Sequence, residues 1–67
     1  MENIGGIINE SLVIDHDTDL GGIVAGDVTV NPGCLLRLGG IVGGDVILQP
    51  GARLHMTGIL NGRVVHA

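Results

Sequence analysis

A chain of 67 residues has room for one domain, and with 13 Gly and no aromatic residue it lacks the ring-filled core of a small globule. At 45% apolar content it is equally unlike a disordered chain, while a formal charge of −4 with no Lys excludes a patch that neutralises phosphates and hence nucleic-acid binding. A lone cysteine, Cys34, excludes an internal disulfide, and with neither a secretory-type leader nor an apolar run of about 20 residues a cytoplasmic protein with no transmembrane segment is expected.

In chain order the first element is a weak copy of a repeat, Ile4-Gly5-Gly6-Ile7-Ile8. The full unit, Leu20-Gly21-Gly22-Ile23-Val24-Ala25-Gly26-Asp27-Val28, begins 16 residues later. It returns after 18 residues as Leu38-Gly39-Gly40-Ile41-Val42-Gly43-Gly44-Asp45-Val46, and after another 18 as Met56-Thr57-Gly58-Ile59-Leu60-Asn61-Gly62-Arg63-Val64. The second half repeats too, since Val30-Asn31-Pro32-Gly33-Cys34 answers Leu48-Gln49-Pro50-Gly51-Ala52, and Pro-Gly is expected to turn one corner of each full copy. The two residues missing from the first copy are placed near Thr18-Asp19. A fixed short period is the mark of a solenoid. The spacing predicts an all-β fold, a short single-stranded triangular β-helix of roughly four coils with about 18 residues per coil. One domain spans 1–67, with repeats 4–19, 20–37, 38–55 and 56–67.

Because 18 is even, a residue that points inward in one coil points inward in the next. Counted from Leu20, the odd places hold Leu20, Gly22, Val24, Gly26, Val28, Val30, Pro32, Cys34 and Leu36, the expected core. The next coil lays Leu38, Gly40, Val42, Gly44, Val46, Leu48, Pro50, Ala52 and Leu54 over them. Inward glycines at the third and seventh places are expected where the chain turns around a narrow interior. Apolar residues six apart, from Val24 through Val30, Leu36, Val42, Leu48 and Leu54 to Leu60, also fit the hexapeptide signature of left-handed β-helices. Periodicity alone leaves the hand open.

The motif G-x-V-x-G-D-V in Gly22–Val28 and Gly40–Val46, followed by an apolar pair and Pro-Gly-Cys or Pro-Gly-Ala, resembles the bactofilin family over about residues 4 to 67. The resemblance implies a right-handed triangular β-helix in preference to a left-handed one. It also implies a bacterial cytoskeletal role, with cores that stack end to end into filaments without nucleotide.

Few residues suggest chemistry. Asp15, Asp17 and Asp19 form D-x-D-x-D, as at the start of a calcium loop, but the later bidentate Glu is absent, which favours a solvated acidic corner over a cation site. His16, His55 and His66 fall at the thirteenth, eighteenth and eleventh places, so no two share a ladder and a metal or acid–base pair is not expected. A phosphate loop of the G-x-x-x-x-G-K-[ST] type needs a Lys, Ser11 is the only serine and lies outside a nucleophile elbow, and Cys34 stacks inward on Ala52. The chain is expected to be non-enzymatic, with no cofactor, metal or small-molecule substrate.

The outward places carry more. Ile7, Ile23, Ile41 and Ile59 share the fourth place among uncharged neighbours, while a second face centres on Val13, Thr29, Ile47 and Val65. Either ladder fits simple cross-strand packing or a docking surface. Residues 1 to 36 hold six acidic residues and no Arg, and 37 to 67 hold three Arg against Asp45, so the ends differ in charge. A coil stack presents a sheet edge at each end, and the last strand, with Val64 and Val65, is expected to pair with something. The leading expectation is a structural protein that self-associates through coil ends, the isoleucine face or both, with the charge division favouring head-to-tail contact. The alternative is a small acidic inhibitor or immunity-type protein that covers a basic protein partner with one β-helix face.

Overall fold

The computed structural model describes residues 2–67 and contains twelve short strands and no helix. Coil 1 is β1 (Glu2–Ile4), β2 (Ile7–Ile8) and β3 (Leu12–Ile14); coil 2 is β4 (Thr18–Leu20), β5 (Ile23–Val24) and β6 (Val28–Val30). Coil 3 is β7 (Leu35–Leu38), β8 (Ile41–Val42) and β9 (Val46–Leu48); coil 4 is β10 (Arg53–Met56), β11 (Ile59–Leu60) and β12 (Val64–His66). Corresponding strands of successive coils pair in parallel, giving three four-stranded sheets, β1-β4-β7-β10, β2-β5-β8-β11 and β3-β6-β9-β12. The fold is a β-solenoid of about four turns with about 18 residues per turn.

Even periodicity keeps each inward column apolar. Ile8, Val24, Val42 and Leu60 stack in the second sheet, and Leu12, Val28, Val46 and Val64 in the third. The two middle coils enclose the core, where Leu20, Val24, Val28, Val30, Leu36, Leu38, Val42 and Val46 are fully buried. Ile4, Ile8 and Leu12 below and Leu54, Leu60 and Val64 above are half-buried against it.

The glycine columns have a sharper cause than a narrow interior. A Cβ built on Gly22 would lie 2.0 Å from the carbonyl oxygen of Gly6, one on Gly40 1.8 Å from that of Gly22, and one on Gly58 2.1 Å from that of Gly40. At the seventh place, a Cβ on Gly44 or Gly62 would meet both the backbone of the preceding coil and a carboxylate oxygen, Asp27 Oδ1 or Asp45 Oδ1, at 2.2 Å. The constraint acts along the helix axis, coil against coil.

One sequence expectation requires correction. Pro32 and Pro50, assigned inward by alternation, are exposed. Cys34 N–H donates to Asn31 O at 3.2 Å and Ala52 N–H to Gln49 O at 2.9 Å, while Gly33 and Gly51 have φ of +78° and +85°. These are turns with Pro at the second position and left-handed Gly at the third, which throw the ring outward and interrupt the alternation for one corner. The two residues lost from coil 1 fall immediately before Thr18-Asp19. Ile14 pairs with Val30 at an offset of 16 and Thr18 with Leu36 at 18, so Asp15-His16-Asp17 replaces the five-residue Pro-Gly corner. Thr18 is buried beneath Leu36, its Oγ1–H satisfied by the His16 carbonyl at 3.0 Å.

Candidate interaction surface

The three outer faces differ in chemistry. The first sheet presents Asn3, Asp19, Arg37 and His55 in register, a polar face. The second presents Ile7, Ile23, Ile41 and Ile59, paired residue on residue through all four coils. Ile7 is 71%, Ile23 42% and Ile59 57% exposed, and Ile41 is half-buried between its neighbours. On either side lie Gly5, Gly21, Gly39 and Thr57, and Asn9, Ala25, Gly43 and Asn61, all exposed and none charged. Short flanking residues leave the isoleucines standing proud. The third sheet aligns Val13, Thr29, Ile47 and Val65, but the corner preceding it carries Asp27, Asp45 and Arg63. Val65 is exposed, whereas Val64 faces inward and is half-buried against the core, so of these two only Val65 belongs to an outer face.

The Gly-Asp pair of the repeat is a cross-coil cap. Asp27 Oδ1 accepts the Asp45 N–H at 2.9 Å, and Asp45 Oδ1 accepts the Arg63 N–H at 2.9 Å. Each carboxylate occupies the space that a Cβ on the next coil's glycine would fill. The signal was present in the sequence, as Asp following Gly at a spacing of 18, but its purpose appears only once successive coils are stacked.

The acidic triplet does not converge. Asp17 Oδ1 accepts the Leu35 N–H at 3.0 Å, Asp15 Oδ1 meets His16 Nδ1 at 2.6 Å, and Asp19 lies within β4 beside Arg37. Among the described residues no group of three or more His, Cys, Asp and Glu side chains is placed to hold a metal ion. The histidines stay apart, His16 at the first corner, His55 opposite Arg37 on the first sheet and His66 opposite Leu48 on the third. Cys34 is buried, with Sγ 3.8 Å from the Pro32 carbonyl. A shallow depression lined by Asn3, Ile4, Gly5, Asp19 and Gly21 gathers a single carboxylate and offers no acid–base pair. Among the described residues no helix is long and apolar enough to cross a membrane.

His16 ties β1 to the first corner. Its Nε2 meets Glu2 Oε1 and its Nδ1 meets Asp15 Oδ1. An ionised carboxylate only accepts, so both ring nitrogens donate and the imidazole carries its second proton. The Glu2 contact first, then that of Asp15, accordingly holds the His16 pKa above its ordinary 6.5. The stabilising contribution is complete below that ordinary value, where the unfolded chain is protonated as well, and is lost as pH rises through the raised value. Thermal midpoints of the wild type and His16→Gln, measured from about pH 6 to about pH 9, are expected to differ most at the acid end and to converge at the basic end. A difference that stays constant or grows with pH would refute the clamp.

Comparison with protein-family models, curated proteins and solved structures finds no match to this chain.

Proposed function

We propose that the chain is a non-enzymatic structural module that associates with further copies of itself through the isoleucine face of the second sheet. The observation that carries this reading is the four-rung Ile7-Ile23-Ile41-Ile59 ladder, exposed at Ile7, Ile23 and Ile59 and half-buried at Ile41, on a face without a charged residue. Cross-strand packing stabilises such a ladder at roughly 0.2–1 kcal/mol per pair, but it asks nothing of the flanking positions. Here those positions are glycine, alanine, threonine and asparagine throughout, which leaves the apolar ridge accessible to a flat partner. Contiguous apolar surface of this kind marks interfaces in soluble proteins. A second copy offers the same ridge, and two ridges related by a two-fold axis are self-complementary. The bactofilin-like repeat and its cytoskeletal associations support the same reading, as do the sheet edges that β10, β11 and β12 present at the C-terminal end of the described coils.

The test is the mass by light scattering of the wild type and Ile41→Lys across a concentration series. Ile41 points outward, so the lysine leaves the core intact while placing a charge in the middle of the ridge. The wild type is expected to grow in mass with concentration and the variant to remain at one protomer or to associate far more weakly. Identical masses at every concentration would rule out the isoleucine face, and one-to-one capture of a basic protein would instead favour the inhibitor role.

A further inference from the structure

We infer that the N-terminal end of the solenoid is closed to coil stacking, because coil 1 carries Glu10 in a column that elsewhere admits only glycine. The seventh place of the repeat is Gly26, Gly44 and Gly62 in coils 2 to 4 and Glu10 in coil 1. At each of the three glycines an added Cβ would point toward the preceding coil. It would lie 2.8 Å from Glu10 C and Ser11 N for Gly26, 2.8 Å from Gly26 O for Gly44, and 2.4 Å from Gly44 O for Gly62. Real side chains do not approach backbone so closely, and the obstructing atoms are main chain that cannot swing aside. Glu10, at the same place of the repeat, has that Cβ, and by the geometry of Gly26, Gly44 and Gly62 it is directed at the space beneath coil 1. Among the described residues no coil lies there.

Any coil of a second copy brought beneath in register meets the same clash. A second feature reinforces the stop. Glu2 occupies the foot of the inward column Thr18-Leu36-Leu54 and its carboxylate meets His16, so a coil stacked below would bury that ion pair where the other coils place a threonine or leucine. The other glycine column does continue into coil 1 as Gly6, whose added Cβ would meet nothing, so the closure is specific to the Glu10 and Glu2 places. The charge difference between the ends favours head-to-tail approach at long range, but the approach ends on a steric stop. End-to-end growth is then limited to two copies meeting at their C-terminal edges. This inference is independent of the isoleucine face.

The experiment compares two triple variants, Glu2→Thr/Glu10→Gly/Ile41→Lys and Glu2→Thr/Glu10→Ala/Ile41→Lys. The lysine silences lateral association, and the threonine restores the column residue of coil 2. Ala keeps the obstructing Cβ, whereas Gly removes it. Both glutamates are exposed, so matching circular dichroism spectra and thermal midpoints establish that both variants fold alike. Light scattering is expected to give the Ala variant a mass of no more than two protomers, and the Gly variant a mean mass at least roughly double that of the Ala variant at high concentration, with elongated particles by electron microscopy. Equal masses for the two, or growth of the Ala variant beyond two protomers, would overturn the inference. Failure of the isoleucine reading shows separately, in the comparison of wild type with Ile41→Lys alone.

Discussion

Gly40→Ala is expected to abolish the folded state, while the same change at Gly39, one residue earlier, leaves stability within about 0.5 kcal/mol of the wild type. The two glycines share a dipeptide and neither has a left-handed φ, so their difference isolates the stacking of coils. On Gly40 a Cβ would sit 1.8 Å from Gly22 O, the very carbonyl that accepts the Ile41 N–H at 3.0 Å. Relief requires coils 2 and 3 to separate, which breaks that hydrogen bond and the one from Gly40 N–H to Leu20 O. On Gly39 the nearest atoms are Thr57 Oγ1 at 3.7 Å and Leu20 O at 3.9 Å, ordinary van der Waals contact. A domain of this size has a total stability of about 3–10 kcal/mol, so a distortion spread over two coils consumes most of it. Circular dichroism during thermal unfolding checks both variants. A cooperative transition for Gly40→Ala close to that of the wild type would show that the coils are not stacked as described.

Leu36→Ala is expected to cost about 2–5 kcal/mol, a large share of the whole. Leu36 is fully buried, with Thr18 beneath it and Leu54 above in the inward column of the first sheet. Both neighbours are held by sheet hydrogen bonds and cannot collapse into the void, so the cavity term adds to the lost burial. Leu54→Ala, one coil higher, is the control. Its side chain is half-buried, with no coil above it among the described residues, and truncation removes less apolar contact. Urea unfolding is expected to show a far lower midpoint for Leu36→Ala than for Leu54→Ala. Equal midpoints would place the core elsewhere.

Most of the architecture is legible in the residue order because one physical fact dominates it. A coil of even length repeats its inward residues on the coil above, and the chain writes Leu20, Val24, Val28 and Val30 over again as Leu38, Val42, Val46 and Leu48. The outward isoleucine ladder follows from the same arithmetic. What strict alternation misses is the corner, where a hydrogen-bonded turn restarts the count and leaves Pro32 and Pro50 exposed. Thr18 is missed because burial of a hydroxyl depends on a local acceptor, the His16 carbonyl, that no periodicity announces. The Asp27 and Asp45 caps and the meaning of Glu10 depend on contacts between coils. The sequence displays them as recurrences, and only the stacked backbone gives them a direction.

The isoleucine face is tested most directly by following the isoleucine methyl groups in nuclear magnetic resonance spectra of the wild type during dilution. Ile7, Ile23, Ile41 and Ile59 on the ridge are expected to shift or broaden with rising concentration. Ile4, Ile8 and Ile14, turned toward the core, and Ile47 on the third sheet are expected to stay fixed. Concentration-independent spectra for the four ridge residues, or changes centred on Ile47, would contradict the assignment.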